Sequence, residues 1–426
     1  MDRFVLNGGP RLKGKVRIDG AKNAALPIMA GALLSDGPNV LQGVPDLADV
    51  RFMGEVLGDV GARISRDPQG GLHILVEDEG DSHARYDRVR KMRASVCVLG
   101  PLLAKRKRAR VSLPGGCQIG PRPIDLHLRG LKALGAEIEL DSGDIVATCK
   151  RLRGAHIFLG GPFGSTVLGT DNVMMAAALA EGRTVIESAA CEPEVEDLAE
   201  YLTAMGAHIS GAGTPRITID GVDKLHGAEH KIIPDRVEAG TFMIAAAITG
   251  GDVLLEKVSW EHMGATVETL RRIGVSVERE LFGCRVTVPG GPDARLTAAD
   301  IVTAPYPGPA TDVQAPFSAL LCLAAGQSRV TDTIFPDRFT HVDELNRLGA
   351  NIRMLDAGRA LIEGVDHLSG APVHAPDLRA CAALILAGLA AQGVTRIFDP
   401  EHIDRGYDRI EEKLTALGAR IRRTET

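Results

Sequence analysis

The run Ser112-Leu113-Pro114-Gly115-Gly116-Cys117-Gln118-Ile119-Gly120-Pro121-Arg122-Pro123-Ile124-Asp125 places a cysteine in a loop stiffened by prolines and opened by glycines. Glycines expose backbone N–H groups and prolines fix their direction, so such a loop suits an anion. A thiol beside Arg122 is electrostatically tuned, and reactive cysteines occupy settings of this kind. The remaining cysteines, at 97, 149, 191, 284, 322 and 381, are scattered, lack the short paired spacings of a zinc site, and read as small apolar packing residues.

Other segments add charge. Gly20-Ala21-Lys22-Asn23-Ala24-Ala25 sets a lysine at the start of an Ala-rich helix, where a cation opposes the helix dipole and is better explained by a bound anion than by capping. A solvated lysine is the plainer alternative. Arg93 abuts an apolar helix expected over 94–104 and is expected to face a site, whereas the run Lys105-Arg106-Lys107-Arg108 with Arg110 reads as a solvated turn. Ala304-Pro305-Tyr306-Pro307-Gly308-Pro309-Ala310-Thr311-Asp312 delivers a carboxylate from a rigid loop to a helix start. Asp312 is thus either a helix cap or a base able to take a proton from a hydroxyl. Pro376-Asp377-Leu378-Arg379 and His402-Ile403-Asp404-Arg405-Gly406-Tyr407 each read as a helix start carrying an acid and an arginine. One thiol, one carboxylate, a lysine and several arginines suit phosphate handling without a metal or cofactor.

These residues are spread over a repeating scaffold. A hydrophobic-Gly-small-x-hydrophobic signature recurs at Gly61, Gly135, Gly206, Gly274, Gly349 and Gly418, about 70 residues apart throughout. Each glycine follows a helical pattern and reads as the residue that ends a helix and feeds a strand. Between signatures come Ala-rich helices, apolar nearly all round, such as those spanning 176–180, 245–248 and 384–391; these should be buried with sheets packed outside them. The expectation is an α/β fold of two domains, three repeats each, with a boundary near 230–234 and a cleft between the domains as the binding place.

The composition narrows the partners. A net charge of −6 and 4% aromatic residues argue against a nucleic-acid binder, and the longest apolar stretch, about 380–392, is too short to cross a bilayer. Met1-Asp2-Arg3 opens no signal peptide, so a cytoplasmic protein with reduced thiols, and without an obligate protein partner, is expected.

The motifs Lys22-Asn23, Pro114-Gly115-Gly116-Cys117 with Arg122-Pro123, Ala304-Pro305-Tyr306-Pro307 with Thr311-Asp312, and His402-Ile403-Asp404-Arg405-Gly406-Tyr407 resemble the UDP-N-acetylglucosamine 1-carboxyvinyltransferases of the enolpyruvyl transferase family, from about Gly9 to Arg422. The resemblance implies an inside-out α/β barrel in two domains, 21–231 with the Cys117 loop, and 1–20 plus 232–426 with Asp312 and Arg405. It implies phosphoenolpyruvate and UDP-N-acetylglucosamine as substrates and phosphate release in the first committed step of peptidoglycan synthesis. Lys22, Arg122 and Arg405 would grip phosphoenolpyruvate, with Arg93 and Arg379 adding positive charge. Asn23, Arg122, Pro123, Ile124, Asp125, Leu126, Asp312 and Ile334 would line the nucleotide-sugar pocket. Cys117 would protonate the enol methylene and form adducts, including one with fosfomycin. Asp312 would deprotonate the sugar hydroxyl. The sequence departs from the family pattern at Gly164–Thr170, Pro309-Ala310 and Cys191, which bears on nucleotide contacts. Other readings are 3-phosphoshikimate 1-carboxyvinyltransferase, RNA 3'-phosphate cyclase and a silent UDP-sugar-binding regulatory paralogue.

Overall fold

The computed structural model describes residues 2–113, 124–291 and 294–424. Cys117, Arg122 and Pro123 therefore lie outside the described residues.

Among the described residues there are six four-stranded sheets on one plan. In the sheet built on Arg183–Glu187, the short edge strand His156–Phe158 runs parallel to it, Arg216–Asp220 pairs with it antiparallel, and His208–Ser210 completes a hairpin. Residues alternate between core and surface along these strands, as in Ile217 and Ile219, because successive side chains point to opposite faces.

The chain forms two compact units, with crossings at Asp19/Gly20 and Ile233/Pro234. The unit of residues 20–233 closes on itself: Glu229–Lys231, its last strand, pairs parallel with Asn39–Gln42 of its first sheet. The other unit is closed by the start of the chain. Lys13–Arg17 supplies the parallel edge of the sheet built on Asp252–Glu256, and Arg3–Asn7 sits between Val394–Phe398 and Ile421–Thr424. Phe4 and Leu6 of that strand are fully buried.

Each unit has its own apolar core. In the second, helices Arg236–Ile248, Gln314–Leu321 and Leu378–Ala390 pack against one another beneath the three sheets. Ala245, Ala246, Ala382 and Ala383 let these backbones approach closely, and the sheets cover the faces that remain. In the first unit Val167–Ala177 packs on both Leu99–Arg106 and Lys22–Gly31, and Arg93–Val98 lies against all three.

All six signature glycines have positive φ, from 88° at Gly61 to 105° at Gly206. They end the outer helices in a left-handed turn. In five of the repeats the following N–H reaches back to a carbonyl in the last helical turn, as in Ala136 to Leu131 and Val275 to Leu270. A β-carbon would strain this conformation, so the spacing seen in the sequence is the spacing of helix ends.

Two local expectations are corrected. The stretch after Arg93 is not one α-helix: Arg93–Val98 is a 3-10 helix, and the α-helix begins at Leu99, which puts Pro101 in its first turn where a missing N–H is tolerated. The segment around His402 does not open an α-helix. Pro400–Arg405 is a 3-10 turn, and the helix starts only at Ile410.

Candidate active site

In the second unit, Asp312 lies in the 3-10 turn Thr311–Val313 directly before the helix Gln314–Leu321. It does not cap that helix; the cap position is Val313, and no side chain bonds there. Instead its Oδ1 accepts from Arg338 Nη2 at 2.7 Å and Arg379 Nε at 3.1 Å. Both guanidiniums are nearly buried, at 8% and 6% side-chain exposure against 24% for Asp312. Two charge-assisted bonds to one carboxylate oxygen hold the group in a fixed orientation.

Arg379 follows Asp377, whose carboxylate does cap the helix Leu378–Ala390 by accepting from the N–H groups of Arg379 and Ala380. Burial alone would raise the Asp377 carboxyl, but bonds from Thr340 and those N–H groups, with Arg338 nearby, keep it below its ordinary value. Arg379 also donates to the Tyr407 hydroxyl at 3.1 Å, and Tyr407 meets Thr241 Oγ1 at 2.8 Å. Burial alone would lower the Arg379 guanidinium; Asp312, Tyr407 and Asp235 outweigh it and hold it above its ordinary value. It is a permanent cation. Arg405, half-buried, ends the 3-10 turn two residues before Tyr407. The turn is tied down by Asp404, which pairs with Arg423 at 2.7 Å, and Arg423 also holds Asp2. Ile334 donates its N–H to Asp332 at 3.0 Å.

In the first unit, Lys22 and Asn23 open the helix Lys22–Gly31, with Ala21 in the cap position. Lys22 is not merely solvated: its ammonium lies 3.4 Å from buried Asp49, with 12% of its side chain exposed. The helix packs on the 3-10 helix begun by Arg93. Ile124, Asp125 and Leu126 form the N-terminal end of the helix Asp125–Ala133. Leu126 reaches to within 3.1 Å of where a side chain on Gly161 would begin. Gly161 opens a tight turn with Gly164, after which Thr166 caps the helix Val167–Ala177. The departures from the family pattern at 164–170 therefore form an ordinary turn and helix start beside Leu126.

His127, next on that helix, is buried. Asn172 donates to its Nδ1 at 2.9 Å and to Val96 O at 3.0 Å, while Asn172 Oδ1 accepts the Gly100 N–H at 2.8 Å. The backbone donor fixes which end of the Asn172 amide is nitrogen, and that fixes the His127 proton on Nε2. Burial first, and Arg93 second, push His127 down to about 3, so the ring is neutral.

The structure thus joins Asp312 to Arg379 and links them through Arg338 to the Ile334 segment. Four participants escaped sequence reasoning: Asp49, Asn172, Asp332 and Arg338. Asp49, Asn172 and Asp332 carry no local signal, while Arg338 carries one in the Pro336-Asp337 step before it, which parallels Pro376-Asp377 before Arg379. The basic run at 105–108 is quenched: Lys105 meets Asp36, and Arg106 and Arg108 meet main-chain carbonyls such as Val60 O at 2.8 Å. The six described cysteines are free thiols, all with pKa values raised primarily by burial. Among the described residues no metal-binding cluster occurs, and no helix is long and apolar enough to cross a membrane.

Six sheets wrapped on buried helices, with a carboxylate gripped by arginines, define a class that comparison with known proteins identifies. The family model described as EPSP synthase (3-phosphoshikimate 1-carboxyvinyltransferase) matches residues 6–414, and the chain belongs to this family of carboxyvinyltransferases. Within it, the chain is 55% identical over 423 residues to the UDP-N-acetylglucosamine 1-carboxyvinyltransferase of Methylacidiphilum infernorum, covering 99% of both. It is 52% identical to that of Akkermansia muciniphila, again with 99% of both covered. The crystal structure of the enolpyruvyl transferase NikO from Streptomyces tendae matches with a TM-score of 0.88 at 25% identity, covering 100% of this chain and 99% of that one. The fold is the inside-out α/β barrel of these enzymes.

Proposed function

We propose that this protein transfers the 1-carboxyvinyl group of phosphoenolpyruvate to the 3-hydroxyl of UDP-N-acetylglucosamine with release of phosphate, the first committed step of peptidoglycan synthesis, in the cytoplasm. The observation that carries the reading is the Asp312 carboxylate set between two buried guanidiniums, in a chain 55% identical end to end to a transferase of that name.

The substrates bring together roughly five negative charges, which only a focused set of cations offsets. Lys22, Arg93, Arg122, Arg379 and Arg405 supply them in a chain whose net charge is −6. In the proposed reaction Asp312 takes the proton of the sugar hydroxyl, whose oxygen forms a bond to C2 of phosphoenolpyruvate. Cys117 gives its proton to C3, producing a tetrahedral phospho-ketal. A C3 proton then returns to a base as the C2–O bond to phosphate breaks, leaving the enol ether and free phosphate. Asn23, Pro123, Ile124, Asp125, Leu126 and Ile334 line the nucleotide sugar in this reading. The neutral His127 and Asn172 hold the Arg93 and Leu126 elements in register.

Phosphate release from phosphoenolpyruvate should require UDP-N-acetylglucosamine and no divalent metal. Equal release with UDP-glucose, or none with either sugar nucleotide, refutes the assignment. Fosfomycin should add once, at Cys117, and intact mass of a Cys117→Ala variant should show no adduct.

A further inference from the structure

Asp332 follows the strand Gln327–Thr331 and is 2% exposed. Its carboxylate accepts four hydrogen bonds. Oδ1 takes the Thr303 hydroxyl at 2.9 Å and the N–H groups of Ile334 and Phe335 at 3.0 and 2.9 Å; Oδ2 takes the Thr311 hydroxyl at 2.7 Å.

Thr303 and Thr311 are the two ends of the loop that presents Asp312. The loop is closed at its base by the Ala304 N–H bonding to Pro309 O at 2.9 Å. Thr303 is bound a second time, since the Thr333 hydroxyl donates to its carbonyl at 2.7 Å. One buried carboxylate therefore staples both ends of the Asp312 loop and, through two main-chain N–H groups, the segment that carries Ile334.

The direction of these bonds is fixed by their chemistry. A carboxylate only accepts, so Thr311 must spend its single hydroxyl proton on Asp332. The lone pairs of Thr311 Oγ1 are then turned to Arg338, whose Nη1 donates to it at 3.0 Å while Nη2 donates to Asp312 at 2.7 Å. The guanidinium plane of Arg338 is held at one end by Thr311 and at the other by Asp312. Were the Thr311 proton free to rotate toward Arg338, two donors would oppose each other and the fork would turn away.

We infer that Asp332 is a positioning residue for the transfer reaction: through Thr311 and Arg338 it orients the Asp312 carboxylate, and through the Ile334 and Phe335 N–H groups it couples that orientation to the nucleotide-sugar pocket. The inference rests on the proposed roles of Asp312 and Ile334. It goes beyond them in assigning the alignment of the base to a group that touches neither substrate.

Asp332→Asn, Thr311→Val and Thr311→Ser in the full chain test it. The amide introduced by Asp332→Asn keeps one acceptor oxygen but turns a donor toward Thr311, reversing the relay, while Thr311→Val removes it and Thr311→Ser preserves it. Asp332→Asn and Thr311→Val should each lower kcat of phosphate release by about 100-fold, as expected for a misplaced catalytic group. KM for phosphoenolpyruvate should stay within about threefold of the parent, and the acidic limb of the pH–kcat profile should move upward as Arg338 leaves Asp312. Thr311→Ser should restore both. A merely structural role would lower the melting temperature with the profile unmoved, and that result, or a kcat within about twofold of the parent in a folded Asp332→Asn variant, overturns the inference. If the parent itself lacks UDP-N-acetylglucosamine-dependent phosphate release, the functional reading fails separately. Hydrogen exchange at the Ile334 and Phe335 amides then still decides the staple: exchange in Asp332→Asn should be faster by about tenfold or more, and unchanged exchange overturns it.

Discussion

Each unit buries one histidine in neutral form, and acid should therefore unfold the two units through different residues. Burial pushes His127 in the first unit down to about 3, and His341 in the second down to about 4, where Asp377 pulls weakly upward and Arg338 adds to the lowering. An unfolded histidine titrates near pH 6.5. Between those values and 6.5 the unfolded chain binds the proton and the folded chain does not, so stability is intact above pH 6.5 and falls as pH drops. Carried from pH 6.5 to 4.5, each group withdraws about 2–3 kcal/mol, since every pH unit crossed between the two titrations corresponds to about 1.4 kcal/mol. That is a sizeable part of the stability of a domain. The perturbation is His127→Asn or His341→Asn, which removes the titration; at position 127 the shorter amide can still present an oxygen to Asn172 near where Nδ1 stood. The loss of ring volume should lower stability at pH 7.5 by about 1–3 kcal/mol, but the acid slope of the affected unit should flatten. The sole tryptophan, Trp260, belongs to the second unit, so its fluorescence follows that unit while far-ultraviolet circular dichroism follows both. Urea midpoints between pH 4.5 and 8 should show His341→Asn flattening the fluorescence transition and His127→Asn flattening only the dichroism phase that fluorescence does not see. An unchanged acid slope in both variants would refute the reasoning, as would a fluorescence response to His127→Asn equal to that of His341→Asn.

Two further outcomes follow from other buried features. Lys413 meets the carboxylates of Asp19 and Glu238 at 2.5 Å, and burial, countered by Lys413, lifts the Glu238 carboxyl to about 7. Lys413→Met should cost about 3–5 kcal/mol at pH 8.5, where a buried charge is left unpaired, and less at pH 6, where Glu238 takes up a proton instead; chemical denaturation at the two pH values checks the order. Gly274 has φ of +100° with open space where a β-carbon would stand, whereas a β-carbon on Gly61, at φ +88°, would lie 1.9 Å from Asp78 O. Gly274→Ala should therefore cost only the left-handed backbone penalty, about 1–2 kcal/mol, and Gly61→Ala distinctly more, as read from thermal midpoints.

The six glycine signatures are legible in the sequence because a left-handed helix end admits almost no other residue, and the small-residue helices because burial on all sides leaves no polar face. The Asp312 loop is legible for a similar local reason, since three prolines and a glycine restrict its backbone. The 3-10 turn at 400–405 reads in the sequence as a helix start: an acid and an arginine after a proline suit both, and the choice depends on Asp404 meeting Arg423 from a distant strand. The pairing of Asp312 with its arginines is likewise not readable. Arg338 and Arg379 come from separate repeats, and Asp332 looks like any polar residue ending a strand until Thr303, Thr311 and two main-chain N–H groups converge on it. The repeat, the helix ends and the chemical inventory are thus written in the chain itself, because they depend on backbone conformation and residue type within a few positions. How that inventory is connected is settled only on folding, because hydrogen bonds and ion pairs form between groups whose separation along the chain says nothing about their distance in space.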